Sequence, residues 1–216
     1  MNIYSMIDFF YKGGVFMYPI LLVFVVGMAI ALERSFHLIR IQSVNRKMWS
    51  VLDPLLAKGE FDRAREIINK DKSTISQMLG MGMARMGVVR RREDIEIAME
   101  ESMMEIIPQL EKRTSYVALL SNIATLLGLL GTIMGLIEAF TAVANANPAE
   151  KADLLSASIS VAMNTTAFGL MVAIPLLLFH AKLTSTTGQI VDSLEMASVK
   201  ALNVITSRAR RQVEAA

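Results

Sequence analysis

Apolar and polar positions follow one another along this chain with the three-and-four step of an α-helix, and in three places the apolar background is nearly continuous: residues 15–36, 116–143 and 154–183. A helix needs about 20 mostly apolar residues to cross roughly 30 Å of hydrocarbon, so each stretch predicts a transmembrane span. Two of the three also carry a narrow polar stripe. Asn122, Thr125, Gly128, Thr132 and Gly135 fall on one side of the second span, and Ser158, Ala162, Thr166, Gly169 and Ala173 fall on one side of the third. Joined by one short polar loop, the two stripes read as the walls of an ion path.

The intervening segments carry their own periodicity. Residues 1–14 predict an outer amphipathic segment, with Ile3, Met6, Ile7, Phe9 and Phe10 on the interface and a break at Gly13-Gly14; Pro19 falls one turn inside the first span. Residues 15–32 are long for a signal-peptide core and are followed by Glu33-Arg34 without a small-residue cleavage site, so the segment is expected to stay as a helix. Residues 39–115 predict a small helical domain, punctuated at Gly59, at Asp71-Lys72-Ser73 and at the Gly80, Gly82, Gly87 cluster. Within it Leu55, Leu56, Phe61, Ala64, Ile67 and Ile68 suit short amphipathic hairpins. The stripe Ile95, Met99, Met103, Ile106, Leu110 leads into the second span, with a kink expected at Pro108, and Ile190, Leu194, Ala197, Ala201, Val204 follows the third. Such apolar faces on water-exposed helices require a helix partner within or between subunits. The expected division is 1–14 outer segment, 15–38 first span, 39–115 cytoplasmic helical domain, 116–144 second span, 145–153 periplasmic loop, 154–183 third span and 184–216 cytoplasmic tail helix.

Composition sharpens this picture. Hydrophobic residues make up 53% of the 216, above the 45–50% usual for soluble domains. No cysteine is present, which removes disulfides, thiolate metal sites and cysteine nucleophiles. The net charge is only +2, but nearly all Lys and Arg lie between Arg34 and Arg113 or from Lys182 onward, leaving Lys12 and Lys151 on the other side. The positive-inside rule then places the amino terminus outside and the carboxyl terminus in the cytoplasm.

Candidate chemistry is confined to hydroxyls and amides. A threonine in a membrane helix can bond back to its own backbone, so Thr125, Thr132, Thr165 and Thr166 taken singly suit close packing as well as a pathway. Two matched stripes with Asn122 and Asn164 added favour the pathway. Glu138 is the one acid in the apolar cores, and it lies roughly 35–40 Å along the helix from Lys112, beyond the hydrocarbon. It reads as an outer entrance, or as an interfacial residue paired with Lys151 or solvent. Pro148, Glu150 and Asp153 suit a helix start. His37 and His180 read as interface anchors, and Arg90-Arg91-Arg92 either as a solvated turn or as a contact for lipid headgroups or an acidic partner. No P-loop, nucleophile elbow or zinc motif occurs, so no catalytic residue, metal, cofactor or nucleic-acid partner is expected.

Leu126-Leu127-Gly128-Leu129-Leu130-Gly131-Thr132-Ile133-Met134-Gly135 resembles the second-span signature of the ExbB/TolQ/MotA proton-channel family. Thr165-Thr166-Ala167-Phe168-Gly169-Leu170 with Ala173-Ile174-Pro175 is similar to the matching third-span signature, and Gly13-Gly14, Pro19 and Glu33-Arg34 extend the likeness through most of the chain. Three spans with an outside amino terminus look like ExbB or TolQ, since MotA proteins have four. The resemblance implies an all-α membrane protein with long cytoplasmic helical extensions, forming a pentamer around a central pore. It also implies an ExbD-like or TolR-like single-span partner whose aspartate carries the proton, and a TonB-like protein that receives the work. Thr132 and Thr166 match the family's pore-facing threonines. Many members carry a glutamate five residues before the second of these; here Val161 stands there, which leaves H⁺ and Na⁺ both open as the carried ion.

The expected function is that of an ExbB-like subunit coupling ion flow across the inner membrane to TonB-dependent outer-membrane transport. One charge crossing 100 mV releases about 2.3 kcal/mol, enough to drive such a step. The alternatives are a TolQ-like or MotA-like stator, contacting its machine through residues such as Arg90 and Glu96, and a non-conducting membrane scaffold whose small residues only pack helices.

Overall fold

The computed structural model describes residues 9–10, 13–86 and 92–214, and among them the regular elements are six α-helices: α1 Met17–Lys58, α2 Phe61–Lys70, α3 Thr74–Arg85, α4 Arg92–Glu111, α5 Thr114–Asn145 and α6 Lys151–Glu214. Residues 1–8, Gly87, Arg90 and Arg91 lie outside the described residues. Local chemistry sets the boundaries. Gly59, at φ 74°, ends α1 in the left-handed region that a Cβ disfavours. Ser73 caps α3 by accepting from the Ser76 amide at 3.3 Å. Arg113 adopts φ 65° between α4 and α5, so the stripe leading into the second span is interrupted at residues 112–113, just past Pro108, rather than running on as one helix.

Gly80 and Gly82 do not punctuate the chain as expected; both lie inside α3. Packing explains their presence, since a Cβ on Gly82 would meet the Met99 side chain at 2.7 Å. The turn signals were real at Gly59 and Ser73.

The chain divides into two compact units. The first comprises Met1–Arg34 and Arg113–Lys182, and so takes the start of α1, all of α5 and the first part of α6. Its interior is built of Ile20, Ala31, Val117, Ala124, Ala162 and Leu176, while Leu22, Leu126, Phe140 and Leu178 stand exposed. Apolar surface on that scale is foreign to a soluble monomer and natural against lipid. Three helices are long and apolar enough to cross a bilayer, and the chain is built as an all-helical, multi-pass membrane protein.

The second unit comprises Ser35–Lys112 and Leu183–Ala216. The stripes noted in the sequence are used here: Ile95, Met99, Ile106 and Leu110 of α4 are buried, as are Ile190, Leu194, Ala197 and Ala201 of α6. The Ser198 hydroxyl meets the Met99 sulfur at 3.6 Å, and Arg92 donates to Asn203 at 3.2 Å, which joins the two helices within one chain. Asn45, buried on α1, donates to Thr74 at 2.7 Å and accepts from the Ile75 amide at 3.4 Å, so one amide ties α1 to the first turn of α3. Lys200 lies 5.8 Å from the centre of the Trp49 ring.

The α3 cap has a second layer. Asp71 accepts from the Ser73 amide at 2.9 Å and from the Ser73 hydroxyl. Burial pushes the Asp71 carboxyl up, but the hydrogen bonds from Ser73 and Ser76 and the backbone amides of Ser73 and Lys72 outweigh it and hold the group below its ordinary value. A depressed folded value stabilises the fold above the unfolded value near 3.8, and that contribution is lost as pH falls from there through the lower folded value. The protection factors of the α3 amides, corrected for intrinsic exchange, should therefore fall below about pH 4, and Asp71→Asn should abolish that pH dependence. Ser73→Ala should cost about 1 kcal/mol at neutral pH in the same measurement.

Candidate functional site

The two polar stripes meet as the packing seam of α5 and α6. Gly128 and Gly169 stand backbone to backbone: a Cβ on Gly169 would lie 2.7 Å from the Ala124 carbonyl oxygen and 3.0 Å from the Gly128 Cα. Two turns on, Gly135 faces Ala162, where a Cβ would meet the alanine methyl at 3.0 Å. Small residues at this spacing let helices approach closely when no hydrophobic force drives them together in lipid. Much of each stripe is therefore consumed by helix contact.

The hydroxyls sort into three settings. Thr132 and Thr166 are half-buried and hydrogen-bonded to each other across the seam. Thr166 can donate to the Gly128 carbonyl at 2.9 Å, and either threonine can donate to the other, so the pair forms a short chain ending on a helix carbonyl. Thr132 also lies 3.3 Å from that carbonyl and 3.4 Å from the Ala162 carbonyl. Thr165 is 1% exposed and bonds the Gly13 carbonyl at 2.6 Å and the Val161 carbonyl at 2.9 Å. Its hydroxyl faces the turn before α1, inside the protomer, and opens onto no surface there.

Asn122 and Thr125 stand exposed on α5, with the Thr125 hydroxyl donating to the Ser121 carbonyl at 3.2 Å. Asn164 is half-buried on α6 and Glu138 is exposed toward the end of α5. Val161 packs against the turn before α1, its Cγ1 3.2 Å from where a Cβ on Gly14 would stand. His180 lies 3.2 Å from the Thr114 carbonyl, and Arg113 pairs with Glu33 at 3.5 Å. Among the described residues no group of three His, Cys, Asp or Glu is placed to hold a metal ion.

Sequence reasoning passed over Ser121. It is 1% exposed and donates to the Ala173 carbonyl at 2.8 Å, a direct bond between α5 and α6. Its signal was the spacing, since Ser121 continues the Thr125, Gly128, Thr132 series one turn earlier.

The family model for MotA/TolQ/ExbB proton channels matches residues 70–196, more than half of the chain. The protein belongs to this family. Among relatives in the family, a biopolymer transport protein ExbB-like 1 of Synechocystis is 30% identical over 87% of this chain and 74% of its own length. An ExbB homologue of Methanothermobacter thermautotrophicus is 29% identical over 89% of this chain and 67% of its own. The Tol-Pal system protein TolQ of Haemophilus influenzae is 32% identical over a shorter stretch, 40% of this chain and 38% of its own. The matched family region contains all of α5 and the membrane part of α6, hence the threonine pair and the glycine contact.

The seam makes a clear distinction between two glycines of the same helix. Gly169→Ala should destabilise the detergent-solubilised protein by about 1–3 kcal/mol, because both atoms it meets are backbone and the helices must separate. Gly188→Ala, with nothing within 4 Å, should instead stabilise it by up to about 1 kcal/mol in thermal unfolding followed by circular dichroism.

Proposed function

We propose that the protein is an ExbB-type subunit of an ion-driven motor in a bacterial inner membrane, with its amino terminus in the periplasm and its second unit in the cytoplasm. In this reading the subunits form a pentamer around the single span of an ExbD-like or TolR-like partner, and a TonB-like protein carries the work to outer-membrane transporters. Support comes from the family match, the charge distribution and, above all, the Thr132–Thr166 pair.

The chemistry of that pair sets its role. Both hydroxyl protons are committed within the protomer, so what the pair offers outward is the remaining lone pairs of its two oxygens. These accept a hydrogen bond from a protonated carboxyl, or ligate a partly dehydrated cation. Neither threonine titrates in the physiological range, so the carboxylate must come from the partner span. Asn122, Thr125 and Asn164 extend the polar wall, Thr165 holds the third span against the first, and Glu138 stands at the outer entrance. Arg90, Arg91 and Arg92 form the contact with lipid headgroups or an acidic partner.

The close Gly128–Gly169 contact also favours a second reading, the non-conducting scaffold, in which the small residues serve packing alone. Co-reconstitution with the partner separates the two. Thr132→Val with Thr166→Val should cut ion uptake by at least about tenfold, equivalent to about 1.4 kcal/mol, while helical content and partner binding stay as they were. Undiminished uptake in the double variant would speak for the scaffold.

A further inference from the structure

Two exposed helix faces of the second unit complement each other in charge and in spacing. On α4, Ile97 and Met104 are 51% and 72% exposed and stand seven residues apart, with Glu100, Glu101 and Glu105 exposed around them. On α1, Val44 and Val51 are 39% and 46% exposed, also seven apart, with Arg40 and Lys47 exposed beside them. No acid occurs on α1 between Glu33 and Asp53, whereas α4 carries seven acids and one arginine. Large apolar side chains at heptad spacing, flanked by one sign of charge, are half of a helix-to-helix seam. Each of these helices has already buried its other face within the chain.

Chain count supplies a second match. Starting from the Glu33–Arg113 ion pair, Val44 lies eleven residues past Glu33 on α1, and Met104 lies nine residues before Arg113. Val51 and Ile97 lie eighteen and sixteen residues from the same points, so both pairs are level to within two residues. Helices that leave and re-enter one membrane boundary run antiparallel, so in copies of the same orientation Val44 comes level with Met104 and Val51 with Ile97. Lys47 then falls opposite Glu101.

We propose that the acidic face of α4 docks on the basic, apolar face of α1 in a second copy of this chain, as a heterologous contact between cytoplasmic units. This rests on the ring reading above and deepens it by naming the surfaces that meet. Electrostatic complementarity then sets register, and Ile97 and Met104 provide the apolar contact.

The absence of native cysteine makes the test direct. Differently tagged full-length copies carrying Val44→Cys and Met104→Cys are co-expressed in membranes and treated with a short bis-maleimide. Cross-linked heterodimers are expected for this pair and for Val51→Cys with Ile97→Cys, but not for Val44→Cys with Ile97→Cys. Lys47→Glu or Glu101→Lys alone should lower the yield about tenfold, and the two together should restore it. Absence of the matched cross-links while native gels still show an oligomer would overturn this contact and leave the ring reading standing. A monomer on the same gels would overturn both. Charge reversal at Lys47 that weakens binding of the purified protein to anionic vesicles, with no cross-link formed, would assign the α1 face to lipid and likewise overturn the proposal.

Discussion

The backbone approach of α5 and α6 at Gly128 and Gly169 governs the rest of the membrane unit. In lipid, apolar side chains gain nothing by leaving one hydrocarbon surface for another, so helices associate where backbones can touch and polar groups can bond across. Every feature of the seam follows from that distance. Only with the helices this close can Thr166 reach the Gly128 carbonyl, Thr132 reach Thr166, and Ser121 reach the carbonyl of Ala173. The glycines and hydroxyls are therefore one device, in which the small residues set the gap and the oxygens bridge it.

The second unit is held together by different contacts. Here burial of Ile, Leu and Met side chains supplies the driving force, and polar groups such as Asn45 and Ser73 fix where helices begin and how they register. The two units share helices: α1 and α6 each contribute one part to either unit. A single sequence thus changes its rule of association partway along a continuous helix, from small residues and hydroxyls to heptad-spaced aliphatics.

Much of this could be read in the sequence, for identifiable reasons. The apolar lengths announced the membrane helices, and the three-and-four stripes of α4 and α6 marked faces that are buried in the fold. The glycines were harder. Gly59 and Gly82 look alike in a string of letters, yet one relieves a positive φ and the other makes room for Met99, and only the neighbour across the gap distinguishes them. The polar stripe had the same ambiguity. Thr165 and Thr166 are adjacent, so their side chains diverge by about 100° on the helix; one turns toward the Gly13 carbonyl and the other toward Thr132. Which does which depends on the segment packed behind α6, and periodicity within one helix carries no record of it. Val161, which departs from the family's glutamate, lies along that same hidden side, against Gly14.

Three strands of chain pass from one unit to the other, and they are not mechanically alike. Both α1 and α6 make the passage as unbroken helix, with an amide ladder that resists twisting at every rung there. The third passage, at residues 112–113, has no such ladder, because Arg113 sits in the left-handed region. The amide ladder of α1 and of α6 therefore runs on across the boundary between the units, while between α4 and α5 it is broken at Arg113.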